Sequence, residues 1–285
     1  MLTYESTSRF AQAGKVRVHY HEAGEGPVLL CIHGGAPGAF GWGNFGRNVE
    51  ELSRHFRVIV VDLPGYGKSD KPDMGSGRNA MYAEVMAALL ESLGIDRANV
   101  LGMATGGAVA IRLAVERPDV VDRLVLVSSA GGQTMFGLRR KITASQVYYG
   151  GNGPTPEKMR DYLSQLLYDP SLITEEVVRE RYEASVEPEF MKQAPEGRTS
   201  TRHTPEDLWK RLDEIQAQTL IVWGRENRAQ SYENAVFMLS RIPRAQLHVF
   251  GECGLWVPFE KPSEFNSLVT GFIQGKKAGA YPGGD

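Results

Sequence analysis

The chain of 285 residues predicts an α/β fold in which a mainly parallel sheet is flanked by helices and interrupted by a helical cap. Three observations carry this. Short β-rich runs alternate with longer helix-like stretches. Several of those runs, Val58-Ile59-Val60-Val61 and Leu124-Val125-Leu126-Val127 among them, are apolar without interruption, as strands buried on both faces require. Between about Gly131 and His203 the alternation stops, and helix-like segments follow one another with no strand-like run between them.

In chain order the predicted strands are Val16 to Glu22, Pro27 to Ile32, Arg57 to Val61, Asn99 to Leu101, Arg123 to Val127, Thr219 to Val222 and Gln246 to Phe250. A helix is expected from Gly107 to Glu116, stopped by Pro118. Cap helices are expected around Pro156 to Leu167 and Thr174 to Ala184, and a core helix from Pro205 to Ile215 with Thr204 as its N-cap. The domain boundaries that follow are 1–132 with 204–285 for the core and 133–203 for the cap. From Gly275 the chain is rich in Gly and Lys and reads as a frayed tail.

Composition narrows the function classes. Hydrophobic residues make up 42% and charged residues 23%, and the formal net charge is −2. The densest basic cluster is Arg139-Arg140-Lys141, too small for a nucleic-acid surface. Two cysteines, Cys31 and Cys253, without CxxC or His-rich surroundings, argue against a disulfide framework and against a metal site. Met1 to Phe10 lacks the apolar centre of a signal peptide, and no run reaches the ~18 apolar residues of a spanning helix. The expectation is a cytoplasmic protein that binds a small molecule, without nucleic acid, membrane, metal or cofactor, and with homo-oligomerisation left open.

The chemistry-bearing motif is Gly102-Met103-Ala104-Thr105-Gly106, which keeps the G-x-S-x-G spacing of a nucleophile elbow but carries a methyl where the hydroxyl belongs. An apolar strand precedes it and a helix follows, which is the context the motif demands. Upstream, His33-Gly34-Gly35-Ala36-Pro37-Gly38 follows the strand ending at Ile32, where glycines let backbone N–H groups approach a substrate oxygen. The turn Asp62-Leu63-Pro64-Gly65-Tyr66-Gly67-Lys68-Ser69 comes after the next strand.

On these motifs, and on Tyr4 to Phe10, Trp42-Gly43-Asn44-Phe45 and Gln246 to Asn266, the chain resembles the meta-cleavage product hydrolases of the α/β-hydrolase superfamily. That branch splits a C–C bond in ring-opened aromatic or steroid catabolites. The resemblance implies an eight-stranded core sheet, a helical lid and a triad carried in the order Ser, Asp, His. Position by position it puts Ala104 at the nucleophile, Asn227 at the acid and Leu255 at the histidine, so the triad is degenerate. Ser128-Ser129-Ala130-Gly131, after the sixth strand, supplies no substitute carboxylate.

Other positions of the resemblance persist. Asn44, Arg181 and Trp256 are expected to bind substrate together with Gly34 and Met103, the last replacing a frequently polar residue. Gly35, Ala36 and Thr105 are expected to supply an oxyanion hole through backbone N–H groups. A cap arginine suits a carboxylate or enolate, although a cap salt bridge explains it equally well. Thr105 is expected to point away from substrate, Cys253 to be packing, His33 to brace the oxyanion loop and His248 to be a core histidine. His203 is a candidate acid or base.

Loss of all three triad positions leads to the expectation of a non-hydrolytic enzyme of biosynthesis. It would be a cyclase, isomerase or lyase that polarises a carbonyl of a polyketide-like or aromatic molecule and holds one reactive conformation. An oxyanion hole alone retains about 10³ to 10⁴ over water in triad-deleted proteases. The alternative expectation is a catalytically dead pseudo-hydrolase that binds a ligand or a partner protein. Third comes a hydrolase with an unrecognised water-activating group.

Overall fold

The computed structural model describes residues 2–72, 78–133, 144–192 and 207–275. Its eight strands form one sheet in the order β1-β2-β4-β3-β5-β6-β7-β8. They are β1 (Ser8–Ala13), β2 (Val16–Ala23), β3 (Val28–Ile32), β4 (Arg57–Val61), β5 (Ala98–Met103), β6 (Val121–Val127), β7 (Gln218–Gly224) and β8 (Ala245–Phe250). Pairing is antiparallel for β1 with β2 and for β2 with β4, and parallel from β4 onward through β3, β5, β6, β7 and β8.

The uninterrupted apolar runs have the physical basis expected of them. In β4, Ile59 and Val61 enter the core cluster on one face of the sheet while Val58 and Val60 enter the cluster on the other. In β6, Leu124 and Leu126 divide from Val125 and Val127 in the same way. Each such side chain contributes about 1.5–3 kcal/mol when fully removed from water. The sheet is thus covered by apolar packing on both faces.

The helices include α1 (Tyr4–Thr7), α2 (Gly41–Leu52), α3 (Arg78–Ser92), α4 (Thr105–Glu116), α5 (Ala144–Tyr149), α6 (Pro156–Leu166), α7 (Glu175–Ser185), α8 (Glu233–Arg241), α9 (Val257–Glu260) and α10 (Pro262–Ile273). Helices α5 to α7 lie in the chain between β6 and β7 with no strand among the described residues there. Thr155 and Thr174 cap α6 and α7, their hydroxyls accepting from the N–H groups of Lys158 and Val177.

Several expectations are corrected. Strand β1 was not foreseen: its sequence SRFAQA is polar, and as an edge strand it buries only one residue fully, Ala13. Leu208–Glu214 is a 3-10 helix rather than part of an α-helix. His248 is half-exposed, not a core residue, because β8 closes the opposite edge of the sheet. Helix α4 starts two residues earlier than expected, at Thr105. The proposed N-cap Thr204, His203, the cluster Arg139-Arg140-Lys141, the cap boundary at 203 and the tail beyond Gly275 lie outside the described residues. No described helix is long and apolar enough to cross a membrane.

Candidate functional site

The site is organised by the turn between β5 and α4. Ala104 sits there at φ 48° and ψ −114°, a conformation that L residues rarely adopt and that costs on the order of 1–3 kcal/mol. The surrounding packing enforces it. A Cβ on Gly106 would come 2.2 Å from the carbonyl oxygen of Ile32, so the chain after the turn lies directly against β3. Ala104 N–H donates to Val127 O at 3.0 Å, and Ala104 O accepts from Ala130 N–H at 2.9 Å. The sharp, strained turn of a nucleophile elbow therefore persists with a methyl at its apex.

Facing this apex is the loop after β3. His33 Nδ1–H donates to Gly34 O at 2.6 Å, and Leu63 N–H donates to His33 Nε2 at 3.0 Å, so both ring nitrogens hold the loop in place. Tyr66 O–H donates to Gly35 O at 3.2 Å. A Cβ on Gly34 would lie 3.3 Å from the Ala104 methyl, and one on Gly35 would lie 2.8 Å from Thr105 Oγ1. The structure thus brings Gly34, Gly35, Ala104 and Thr105 together, with Ala36 next in the loop and half-exposed like Gly35, Ala104 and Thr105. Thr105 is the first residue of α4, and first-turn N–H groups have no acceptor within their own helix.

A second group lies beside the elbow and joins α7, from the helical stretch between β6 and β7, to α2. Arg181 Nη2 on α7 donates to Asn44 Oδ1 on α2 at 2.9 Å, and its guanidinium stands 4.1 Å from the ring centre of Trp256. Trp256 Nε1–H donates to Asn44 O at 3.2 Å, and Asn44 Nδ2 approaches Met103 Sδ at 3.7 Å. All four residues are buried. Gly38, at φ 63°, makes the approach of α7 possible, since a Cβ there would come 1.9 Å from Arg181 O. Desolvation by burial lowers Arg181 to about 10. Its side-chain hydrogen bond is to Asn44 and its ring contact to Trp256, neither of them charged, while Glu180 acts on it through charge and partly offsets the desolvation.

The other two positions are held differently. Asn227, after β7, donates from Nδ2 to Ser128 Oγ at 3.3 Å and accepts at Oδ1 from the N–H groups of Ala229 and Gln230, each at 3.0 Å. Its amide braces the loop. Leu255 is buried in the apolar cluster that contains Met103 and against which Ala104 packs. Its N–H donates to Leu166 O of α6 at 2.8 Å.

Two carboxylates that sequence reasoning passed over fasten this loop. Glu260 accepts from Gly254 N–H at 2.8 Å and from Tyr168 N–H at 2.7 Å, and Glu226 accepts from Cys253 N–H at 3.1 Å. Their signal was faint, since each is an ordinary acidic residue near a glycine. Burial pushes the Cys253 thiol well above its usual range, so it is packing and no nucleophile. No described group of three His, Cys, Asp or Glu residues has the arrangement of a metal site. An open cavity of about 430 Å³ lies between Tyr4, Trp42 and Phe190; it is not lined by Ala104, Met103 or Leu255.

A strand-turn-helix elbow under a glycine loop defines the class, and comparison with known proteins agrees: a family model described as alpha/beta hydrolase fold matches residues 27–262. The chain belongs to the α/β-hydrolase family and, within it, to the branch of the meta-cleavage product hydrolases. It is 35% identical over 284 residues to 2-hydroxy-6-oxo-6-phenylhexa-2,4-dienoate hydrolase of Comamonas testosteroni, covering 96% of this chain and 98% of that one. To 2-hydroxy-6-oxononadienedioate/2-hydroxy-6-oxononatrienedioate hydrolase of Burkholderia vietnamiensis it is also 35% identical, with 95% and 97% covered. Among solved structures it is similar to a serine-to-alanine mutant of the meta-cleavage product hydrolase from Pseudomonas fluorescens, complexed with acetates. There the TM-score is 0.83 and the identity 33%, covering 94% of this chain and 97% of that one.

These relatives are enzymes, and by name they are hydrolases, which corrects the expectation of a non-hydrolytic cyclase, isomerase or lyase of biosynthesis. It equally corrects the alternative of a dead pseudo-hydrolase. Both expectations read the changed residues at 104, 227 and 255 as the end of hydrolysis, whereas full-length similarity to C–C hydrolases points to hydrolytic activity.

Proposed function

We propose that the chain is a carbon–carbon bond hydrolase acting on an anionic, ring-opened dienoate, with water as the attacking oxygen. The observation that carries this reading is Arg181, a buried cation beside the elbow whose hydrogen-bond and ring partners among the described residues are uncharged, with Glu180 acting on it through charge but forming no ion pair with it. A desolvated guanidinium gains most from a carboxylate, which it holds through paired N–H donors. A substrate carboxylate supplies that partner, and the substrates in the relatives' names carry one.

In this reading Asn44 and Arg181 hold the carboxylate end while Trp256, Met103 and Leu255 pack the apolar body. Backbone N–H groups of Gly35 or Ala36 and Thr105 polarise the distal ketone above the Ala104 methyl. Water adds to that carbonyl, and its oxygen stays on the acyl carbon. The C–C bond then breaks, its electron pair passing into the conjugated acid, which takes up a proton. One water is consumed and two smaller acids leave, with no acyl-enzyme. A cap over 133–203 that covers the bound molecule belongs to the same proposal, as does a cytoplasmic setting, which suits the two buried free thiols Cys31 and Cys253.

Without a base beside the elbow, the rate falls below the 1–10³ per second common to enzymes, roughly toward what an oxyanion hole alone sustains. The test is product analysis at stoichiometric protein with 2-hydroxy-6-oxo-6-phenylhexa-2,4-dienoate. Benzoate and the shortened dienoate, formed faster than in buffer, support the proposal. A substrate that stays intact, or that converts to an isomer of unchanged mass, overturns it.

A further inference from the structure

On the far side of the oxyanion loop, three residues separated in sequence converge in the order hydroxyl, imidazole, carboxylate. Ser8 Oγ on β1 lies 2.8 Å from His19 Nε2 on β2, and His19 Nδ1 lies 2.7 Å from Asp62 Oδ2 in the turn after β4. His19 and Asp62 are wholly buried, while Ser8, on the edge strand, is half-exposed.

The carboxylate is built to stay ionised. Asp62 Oδ1 accepts from Gly41 N–H at 2.7 Å, and Oδ2 accepts from Lys68 N–H at 3.0 Å as well as from His19. Burial alone would raise this carboxyl, yet the hydrogen bonds from His19 and from the Lys68 N–H outweigh it and hold it below its usual range. An ionised carboxylate only accepts, so Nδ1 carries the proton and Nε2 presents its lone pair to the Ser8 hydroxyl. This is the relation of nucleophile, base and orienting acid that activates a serine, and it is recognised by geometry rather than by place in the chain.

Aromatic rings surround the imidazole and a cation stands over one of them. The Tyr4 ring stacks on His19 at 5.9 Å and the Phe10 ring lies 4.9 Å from it, and the Lys68 ammonium stands 4.5 Å from the centre of the Tyr4 ring. His21 packs edge-on against His19 at 4.8 Å.

We propose that Ser8, His19 and Asp62 form a second nucleophilic site, distinct from the elbow, at which Ser8 Oγ takes an acyl or phosphonyl group from small activated aryl esters and organophosphonates. The new bond joins Oγ to the carbonyl carbon or phosphorus, and the bond to the leaving phenoxide or fluoride breaks. The serine proton passes to His19 Nε2 and from there to the leaving group. Asp62 stays ionised, and nothing is oxidised or reduced.

The experiment treats the full chain with a fluorophosphonate and locates the adduct by intact mass and peptide mapping. One adduct on Ser8, absent in Ser8→Ala, is expected. Because a change at His19 strikes buried structure, the second arm is Ser8→Cys. Its thiol should be alkylated by iodoacetamide at about pH 6.5 at least tenfold faster than free cysteine, since the imidazole takes the thiol proton. Buried Cys31 and Cys253 are separated from it by mapping. No adduct on Ser8 at millimolar probe, an adduct confined to another residue, or an ordinary alkylation rate in Ser8→Cys would overturn the proposal.

Discussion

Arg181 Nη2 donates to Asn44 Oδ1 at 2.9 Å, and this contact ties helix α7 to helix α2 within a group that also holds Trp256 and Met103. The strained alanine turn stands one residue beyond Met103. The Arg181 group and the elbow are thus joined through Met103, which touches Asn44 and precedes Ala104 in the chain.

Arg181→Ala should weaken binding of an aromatic or dienoate carboxylate by at least tenfold. Losing a hydrogen bond to a charged group costs about 1.5–3 kcal/mol, and about 1.4 kcal/mol is already tenfold. Arg181→Lys, which keeps charge but loses the planar fork and the stack on Trp256, should fall between. Calorimetry with benzoate and with the dienoate checks both, and equal affinity in all three proteins would remove Arg181 from the site.

The turn at Ala104 makes a stability prediction of opposite sign to most substitutions. Glycine adopts a positive φ without strain, so Ala104→Gly should recover part of the roughly 1–3 kcal/mol held there, less about 0.4–1 kcal/mol for the freer unfolded chain. Urea unfolding should show a midpoint raised or unchanged. A clear loss of stability would mean that the turn carries no strain.

Acid should weaken the fold partly through His21. Desolvation by burial lowers its imidazole to about 4 from an ordinary 6.5. The unfolded chain then binds the proton more readily than the folded one. The contribution is full above about pH 6.5 and is lost as pH falls toward about 4. His21 Nδ1 lies 2.9 Å from Thr7 Oγ1, and Asn at this position retains a polar group for that contact. His21→Asn should flatten the fall in stability between about pH 6.5 and pH 5 measured by urea unfolding, and an unchanged slope would assign the effect elsewhere.

The parts of the fold legible in the sequence were those whose signal is local. Uninterrupted apolar runs located β4 and β6 because both faces of the sheet are covered, and glycines at 102 and 106 located the elbow because backbone passes within contact there. Strand β1 stayed hidden because an edge strand need not be apolar. The relay of Ser8, His19 and Asp62 spans 11 and 43 residues, and no spacing rule predicts it before the strands pair. Asn44 and Arg181, 137 residues apart, were singled out only through resemblance to a family. Function was misread for a related reason: three changed side chains were weighed above the frame that holds them, and the relatives weigh the other way.

The measurement closest to the central claim compares dienoate cleavage by the natural chain with cleavage by Ala104→Ser combined with Asn227→Asp and Leu255→His. If the frame is that of a C–C hydrolase using water alone, the natural chain forms benzoate and the shortened dienoate slowly, below about one turnover per second. The triple variant should then be at least a hundredfold faster, while Ala104→Ser alone changes little because triad members act as a unit. No cleavage by either protein, or an Ala104→Ser single variant as fast as the triple, would contradict the account.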